Sequence, residues 1–567
     1  MQTIQCYFSL PALAGIKHKG NYMNSVNVDH FKRAIDDIGA HGDNDMLPFD
    51  IETVFLSATK DKLAQIAFDF FERLEKDGKK NAKNTLNSIQ IFKERLLSPT
   101  GSSGFRISTK IHPFWNVYLN GIAIAIAEKN EQNRSPNAHS YRFDDMGPGF
   151  FDRDRSWRAY KEATIKDPAL KSKGAVVVQT DISSFYEHIY HHRIENCIND
   201  LFGDNSTVST QVDRLLSQIS SGRSFGFPVG GQCSRVLAEL LMTSIDQLLT
   251  LSNITWHRYV DDFTLIADSQ AEAYKAISIL SNALADYGLS LNRSKTTILK
   301  GQHYENFVHS QLFTDDDNAS KLKKIDLHFD PYSDNAHSDY DELADTVEQL
   351  NVQTLLDLEI HKSQPDTFLI NQISRTLKLH DPALALQLCK TLLSPENLHS
   401  FRGSWSTIIK GVISLRADEK YSGIYVLLDN LLDNIISHSE HLLLPEANCL
   451  HYLRALRLSR TNTRATYVHQ KLQDSTSETI KRACLECIRS WKDRPSFIHA
   501  RNKWSNLTPE VQRMLWLTSF EFGDEGKHFR LQVKNVIHRS WALGIELKDK
   551  PSFSGSYVSW VEDMVRK

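Results

Sequence analysis

An α+β domain followed by an all-α C-terminal part is the fold class this sequence predicts, and three observations predict it. A β-branched run, Ala175-Val176-Val177-Val178, leads straight to Asp181. Two apolar stretches between Ile254 and Asp268 flank a tight turn at Asp261. From about residue 340 onward apolar positions recur at helical spacing, with no further strand signal. Continuous β-branched runs suit buried strands, whereas a 3.6-residue apolar period suits helices packed through one face.

The elements follow in order. Residues 1–104 read as a helical N-terminal extension: Leu63, Ile66, Phe70 and Leu74 share one helix face, and Gly78 breaks the pattern before Lys79, Lys80 and Lys83. The cluster Pro99-Thr100-Gly101-Ser102-Ser103-Gly104 reads as a turn-rich boundary. Residues 105–312 alternate helices with strands, which is the texture of an α+β domain. Within them Gln232 to Thr250 is helical, with Leu237, Leu240 and Leu241 on one face. Asp315, Asp316 and Asp317 open an acidic linker over 313–340. Residues 341–567 are helical, with stripes at Leu428, Leu431, Leu432 and Ile435 and at Ile480, Cys484, Cys487, Ile488 and Trp491. Ser475 with Glu478 reads as a capping box, and Thr508 before Pro509 as an N-cap with proline at the first helical position. No clean period marks repeats there, so a helical-repeat domain is expected from helix succession alone.

Composition excludes several classes. A chain of 567 residues implies two or three domains, and 41% hydrophobic residues exclude global disorder. A net charge of −3 argues against a surface that coats nucleic acid indiscriminately, though not against a local basic channel. Seven scattered cysteines do not form a disulfide framework, and the pair Cys484/Cys487 lies on a helical apolar stripe with no second pair to complete a zinc site. No apolar stretch approaches the ~20 residues that span a bilayer, and the N-terminus lacks a basic leader, so a cytoplasmic protein with no membrane partner is expected.

The chemistry concentrates in acidic residues. Asp181 ends a buried strand, and Asp261 with Asp262 occupies a hairpin turn. Strand ends and turns can deliver carboxylates from separate segments to one sheet rim, where hard divalent cations bind oxygen ligands. An Asp-Asp pair in a turn is by itself ordinary turn chemistry. The surrounding sequence carries the decision.

Four blocks stand in order between 181 and 296: Asp181-Ile182-Ser183-Ser184-Phe185-Tyr186, Gly226-Phe227-Pro228-Val229-Gly230-Gly231-Gln232-Cys233-Ser234, Tyr259-Val260-Asp261-Asp262, and Leu291-Asn292-Arg293-Ser294-Lys295-Thr296. Together they resemble the catalytic motifs of reverse transcriptases, whose palm and fingers would then occupy 105–312. The resemblance implies two Mg²⁺ ions, with Mn²⁺ as a substitute, held by Asp181, Asp261, Asp262 and the Ile182 backbone carbonyl, about 3.5–4 Å apart. It implies Lys295 as a further catalytic and triphosphate-side residue. Arg142, Phe185, Tyr186, Gly230 and Gln232 would contact the nucleotide, with Tyr186 excluding a ribose 2′-hydroxyl by repulsion. Gly226, Pro228, Ser234, Arg235 and Tyr259 would contact template or primer. His188, His191 and His192 complete no metal site and read as surface or nucleic-acid-facing residues.

The residue after Ser234 separates branches of the family. Many members have proline there; this chain has Arg235, as the bacterial abortive-infection and defence-associated reverse transcriptases do. That group also carries a C-terminal helical-repeat (HEAT-like) domain, which the helical part and the Gly523-Asp524-Glu525-Gly526-Lys527-His528 run resemble. The resemblance implies antiviral DNA synthesis from dNTPs in the bacterial cytoplasm, a single-stranded DNA product and homo-oligomers. Some members copy an RNA template; others add nucleotides without one, primed from a protein tyrosine. Arg494 and His499 are spaced as in a helical nuclease motif, but Pro495 stands where that motif wants a polar residue.

Overall fold

The computed structural model describes residues 26–101, 103–145, 149–152, 156–312, 317–325 and 336–566. The first 25 residues of the expected N-terminal extension lie outside the described residues. Three helices follow: α1 (Val28–His41), α2 (Ile51–Ala58) and α3 (Lys60–Ser88). Asn27 and Asp50 start the first two by accepting backbone N–H groups. Gly78, at φ 74°, interrupts α3 where its break is expected.

Next comes an antiparallel hairpin, β1 (Lys93–Thr100) with β2 (Gly104–Ile111), paired from Lys93↔Ile111 to Thr100↔Gly104. Of the cluster expected as a boundary between domains, Pro99, Thr100 and Gly104 belong to the paired strands, with Gly101 and Ser103 at the turn and Ser102 outside the described residues. The hairpin's buried positions include Ser98, Ser108 and Lys110, so no apolar alternation announces it.

α4 (Pro113–Glu131) is buried along most of its length, and α5 (Trp157–Lys166) leads to β3 (Val176–Asp181). α6 (Phe185–His188), α7 (His191–Phe202), α8 (Val208–Ile219) and α9 (Gln232–Leu251) separate β3 from the hairpin of β4 (Thr255–Tyr259) and β5 (Asp262–Ala267). α10 (Gln270–Ala285), β6 (Thr297–Lys300) and α11 (Gly301–Leu312) complete the unit. The sheet order is β4-β5-β3-β6, antiparallel throughout. Alternation along β3 sends Val176 and Val178 into the main core with α10 and Val177 to the opposite face with Tyr304 and Val308 of α11. Helices thus cover both faces and fix the strand ends.

The expected linker over 313–340 contains structure. Asp315 and Asp316 lie outside the described residues, but Asp317 caps α12 (Asn318–Lys324), accepting the Ser320 N–H at 2.7 Å. α13 (Ala336–Gln349) also begins inside that interval. The helices α14 (Val352–Ile360), α15 (Thr367–Thr376), α16 (Pro382–Leu392), α17 (Pro395–Ser400) and α18 (Trp405–Arg416) follow. Then come α19 (Tyr425–His438), α20 (Glu446–Leu456), α21 (Asn462–Asp474) and α22 (Glu478–Trp491). The chain ends with α23 (Arg494–Arg501), α24 (Pro509–Thr518), α25 (Gly523–Ser540) and α26 (Phe553–Arg566). α15, α18, α20, α22 and α24 pack in succession as one layer. Cys484 and Cys487 are buried in α22, as their stripe predicts. The cap of α22 is Ser477 rather than Ser475, which closes α21 instead. Thr508 and Pro509 start α24 as expected.

The last helix packs on one of the first described helices. Phe55 of α2 packs edge-on against Phe553 and Tyr557 of α26, at 5.5 and 5.0 Å between centroids. Beside them Arg482 and Arg513 bridge Asp50, Glu52 and Glu510, all inside the protein, and Lys110 pairs with Asp43. Burial alone would raise the carboxyls of Glu52 and Glu510, but the arginines hold both down to about 2. Breaking one partner of such a pair strands a buried charge, at about 3–5 kcal/mol. Among the described residues no helix is long and apolar enough to cross a membrane.

Candidate active site

The pairing of β3 with β5 places Asp181 directly opposite Asp262. Asp261 occupies the turn between β4 and β5, and its carbonyl accepts the Ile182 N–H at 3.1 Å. The three carboxylates therefore meet at one rim of the sheet: Asp181 buried, Asp261 half-buried and Asp262 exposed.

The turn is strained. Val260 lies at φ 57°, a left-handed conformation that a β-branched residue adopts only when its surroundings impose it. Its N–H donates to Ser140 Oγ at 2.8 Å, and its carbonyl accepts Arg258 Nη1 at 2.8 Å. Arg258 is fully buried between Glu239 and Asp246, and Glu239 also binds Arg134 and the Ser140 hydroxyl. Arg134 and Arg258 with Glu239 and Asp246 thus form a charge-matched support behind the carboxylates, which Arg134 extends to Glu131 and Arg142. Tyr141 and Ser184, at φ 48° and 46°, add two more strained positions beside it.

The site is poised for positive charge. Burial, then the neighbouring Asp262 and Asp181, push the Asp261 carboxyl up to about 6. Burial also raises Asp262, against the pull of Lys161 and Lys295. Asp181 Oδ1 is buried without a hydrogen-bond partner, while Oδ2 accepts Lys295 Nζ at 2.6 Å. An unpartnered buried oxygen beside two carboxyls that resist ionisation fits a divalent cation. Among the described residues no three acidic, His or Cys side chains are set to hold one ion as they stand. Lys295 holds the other oxygen of the same carboxylate, Oδ2.

A cavity of about 320 Å³ opens on one side of the rim. It brings together Tyr186, Gly230, Ser234 and Arg235 of the expected residues and adds Arg106, Tyr141 and Asp45. Arg235 lies 5.2 Å over the Tyr141 ring, bonds Gln232 Oε1 at 2.7 Å and pairs with Asp45. It lines the same cavity as Tyr186 and Gly230, which are expected on the nucleotide, whereas Arg235 is expected on template or primer. A second cavity of about 380 Å³ takes Gly226 and Pro228, with Arg95, Arg223 and His188.

Other expected residues are engaged elsewhere. Arg142 pairs with Glu131 at 2.6 Å and donates to the Ser135 carbonyl at 2.7 Å, so it braces the loop rather than reaching toward a triphosphate. Phe185 is a core residue at 4% exposure. Ser234 Oγ donates to the Pro228 carbonyl at 2.6 Å, which locks the glycine block. The Tyr259 ring lies parallel to Tyr160, 6.0 Å away. At Gly230, φ 103°, a Cβ would fall 2.4 Å from the Asn44 amide, so the glycine admits a neighbouring side chain. His191 is buried, not surface-facing; its Nε2 meets the Gly226 carbonyl at 2.8 Å. His188 is exposed.

Sequence reasoning missed Arg95, Arg106, Arg223 and Lys161. Lys161 is buried among the rings of Trp157, Tyr160 and Tyr304, and burial lowers it to about 8, against the charge of Asp262. A lysine on the mixed face of a short helix carries no signal of its own.

Fold and site define the class: residues 137–323 match the family described as reverse transcriptase (RNA-dependent DNA polymerase), and the chain contains a domain of that family. Among characterised relatives, the retron Se72 reverse transcriptase of Salmonella heidelberg (strain 579083-10) is 28% identical over 141 residues, 24% of this chain and 36% of the relative. The chain thus spans little more than a third of that protein. Among solved structures, telomerase from Candida albicans bound to a TWJ fragment of telomeric RNA aligns over 61% of this chain and 67% of its own, with 14% identity and a TM-score of 0.31. Apo telomerase from Candida tropicalis aligns over 65% and 69%, with 13% identity and a TM-score of 0.29.

Proposed function

We propose that this chain is a DNA polymerase of the reverse-transcriptase class that joins dNTPs to a 3′-hydroxyl. One observation carries the reading: Asp181, with an unpartnered buried oxygen, faces Asp262 beside Asp261 at the rim of a sheet held from behind by Arg258 and Glu239. These three carboxylates would hold divalent cations, Mg²⁺ in the first instance, which when bound activate the hydroxyl and neutralise the departing pyrophosphate. The chain's own groups do the rest. Arg106 and Arg235 flank the cavity and offer charge to a triphosphate; Tyr186 walls its sugar side; Lys295, once released from Asp181, has a proton and a charge to offer the leaving group. Purified chain with dNTPs and Mg²⁺ should extend a primer, and Asp261→Ala/Asp262→Ala should not. Incorporation by the double variant would sink the assignment.

Within that class we read the chain as defence-associated. Arg235 after Ser234, the retron relative and the layered C-terminal helices, which we take as HEAT-like repeats, support this. Hairpin β1–β2 then counts with the polymerase, and the C-terminal helices braced against it with the repeat domain. Cells expressing the wild type should resist phage that plate normally on the double variant; equal plating would refute the defence role. Sequencing the product separates copying of an RNA partner, which yields a complementary strand, from template-free, protein-primed addition. Sedimentation of the intact protein tests the expected homo-oligomer.

A further inference from the structure

Three cations stand on neighbouring helices of the C-terminal layer: Arg375 on α15, Lys410 on α18 and Arg454 on α20. α15 packs on α18 and α18 on α20, so the three make a stripe across the layer. The same layer braces the polymerase. Gly403, just before α18, lies so close to the Gly101 carbonyl that a Cβ would sit 2.9 Å from it. His451 on α20 meets the Met46 carbonyl at 3.3 Å, and Arg454 donates to the Phe49 carbonyl. Gly101 and Met46 both line the nucleotide-side cavity. The stripe therefore leads on from that cavity's rim.

Its charges are poorly offset. Arg375 and Lys410 are exposed, and the charged groups acting on Lys410 are Arg454 and Arg375, both cations. Arg454 faces Arg457 as well as Glu486 and Asp50, and Asp50 is already paired with Arg482. Arg375 hydrogen-bonds only a neutral partner among those seen, Gln372, at 2.8 Å. Burial first, then the neighbouring Arg454 and Arg375, lower the Lys410 ammonium. Like charges gathered on adjacent helices of a nearly neutral protein, two of them exposed, fit a polyanion laid along them.

We propose that Arg375, Lys410 and Arg454 form a track for the phosphodiester backbone of a single nucleic-acid strand passing the nucleotide-side cavity. It rests on the polymerase reading and adds to it a second, sugar-indifferent contact surface on the helical part. The test is fluorescence anisotropy of the full-length chain with oligo-dT and oligo-rU strands of about 25 nucleotides over a salt series. Arg375→Gln/Lys410→Gln should weaken both strands on the order of tenfold and flatten the log–log salt slope by about 1.4, at roughly 0.7 per phosphate contact. Lys390→Gln, on α16, should change neither, and Lys410→Arg should retain affinity. An unchanged slope in the double variant, or a Lys410→Arg loss as large as that of Gln, overturns the track. Nucleotide incorporation by the same wild-type preparation separates the two ideas. Incorporation with an unchanged slope refutes the track alone; a flattened slope in a chain that incorporates nothing supports the track and refutes the polymerase reading.

Discussion

The Lys295 ammonium lies 2.6 Å from Asp181 Oδ2, on one of the three carboxylates proposed to hold divalent cations. Its hydrogen bond to Asp181 raises the lysine's pKa, so the contact is an ion pair at neutral pH. A cation binding through the unpartnered Asp181 Oδ1 meets the repulsion of this ammonium, and one that takes both oxygens must displace it. Lys295→Ala should therefore bind Mg²⁺ more tightly, by about threefold to tenfold in a thermal-shift titration, although incorporation slows by at least about 100-fold through loss of the charge and proton. A Mg²⁺ midpoint that does not move would show that lysine and metal do not compete.

Asp261 yields a prediction whose sign can be worked out. Its folded-state pKa of about 6 lies above the ordinary 3.8, because burial and then Asp262 and Asp181 oppose its charge. A raised carboxyl costs stability as pH rises through the folded value and costs nothing below the ordinary one. Asp261→Asn should stabilise the metal-free protein at pH 8 by roughly 1–2 kcal/mol, lose that advantage near pH 4, and lose any stabilisation by Mg²⁺. Equal melting of variant and wild type at pH 8 would contradict the crowding of charge.

The left-handed Val260 separates stability from function. Val260→Gly relieves the backbone, so stability should shift by less than about 1 kcal/mol, yet a looser turn should lower kcat about tenfold with KM little changed. Ser140→Ala behaves differently. It strands the Val260 N–H and one Glu239 contact, and should cost about 1–3 kcal/mol as well as activity. Denaturant melts and steady-state kinetics on both variants check the contrast.

Tyr186 lines the cavity proposed to take the nucleotide, with Tyr141 and Arg235. If its ring walls the sugar, Tyr186→Ala should admit rNTPs, narrowing the preference for dNTPs by about 10–100-fold. Competition assays with paired dNTP and rNTP would read this directly; an unaltered ratio would return Tyr186 to a packing role.

Much of the site was legible because its signals are local. The Val176–Val178 run, the acidic turn and helix α9 each announce themselves within a few residues, and the strand pairing then brings Asp181 to Asp262. The supports were not legible. Hairpin β1–β2 buries Ser98, Ser108 and Lys110, so its inner face reads as polar. Arg482 finds Glu52 across 430 residues of sequence, and no periodic pattern encodes such a pair. Arg142 was assigned by position upstream of the catalytic strand, where the deciding fact is its partner Glu131. Buried charges are specified by what they meet in space.

The seam between the polymerase and the C-terminal helices should respond to mild acid through two histidines. His112, at the start of α4, is fully buried against Phe553 at 4.9 Å between centroids. Burial lowers it to about 4, with Glu510 and Glu52 pulling upward and Arg513 and Arg482 downward. His451 is likewise lowered to about 4, by burial and then by the charges of Lys410 and Arg454, against its hydrogen bond to Met46. A histidine depressed in the folded state contributes stability that is complete above its ordinary 6.5 and is lost as pH falls toward the folded value. The window is therefore pH 6.5 down to about 4, with at most about 3 kcal/mol at stake for each ring. Glu52 and Glu510, held at about 2, add their loss only below about pH 4.5. Melting followed by tryptophan fluorescence, which Trp516, Trp541 and Trp560 report from near the seam, should fall between pH 7 and 4.5. His112→Asn preserves the acceptor that caps the Phe114 N–H and should remove about half of that fall, and His451→Gln a comparable share. A fall of the same size in both variants would assign the acid response to other groups.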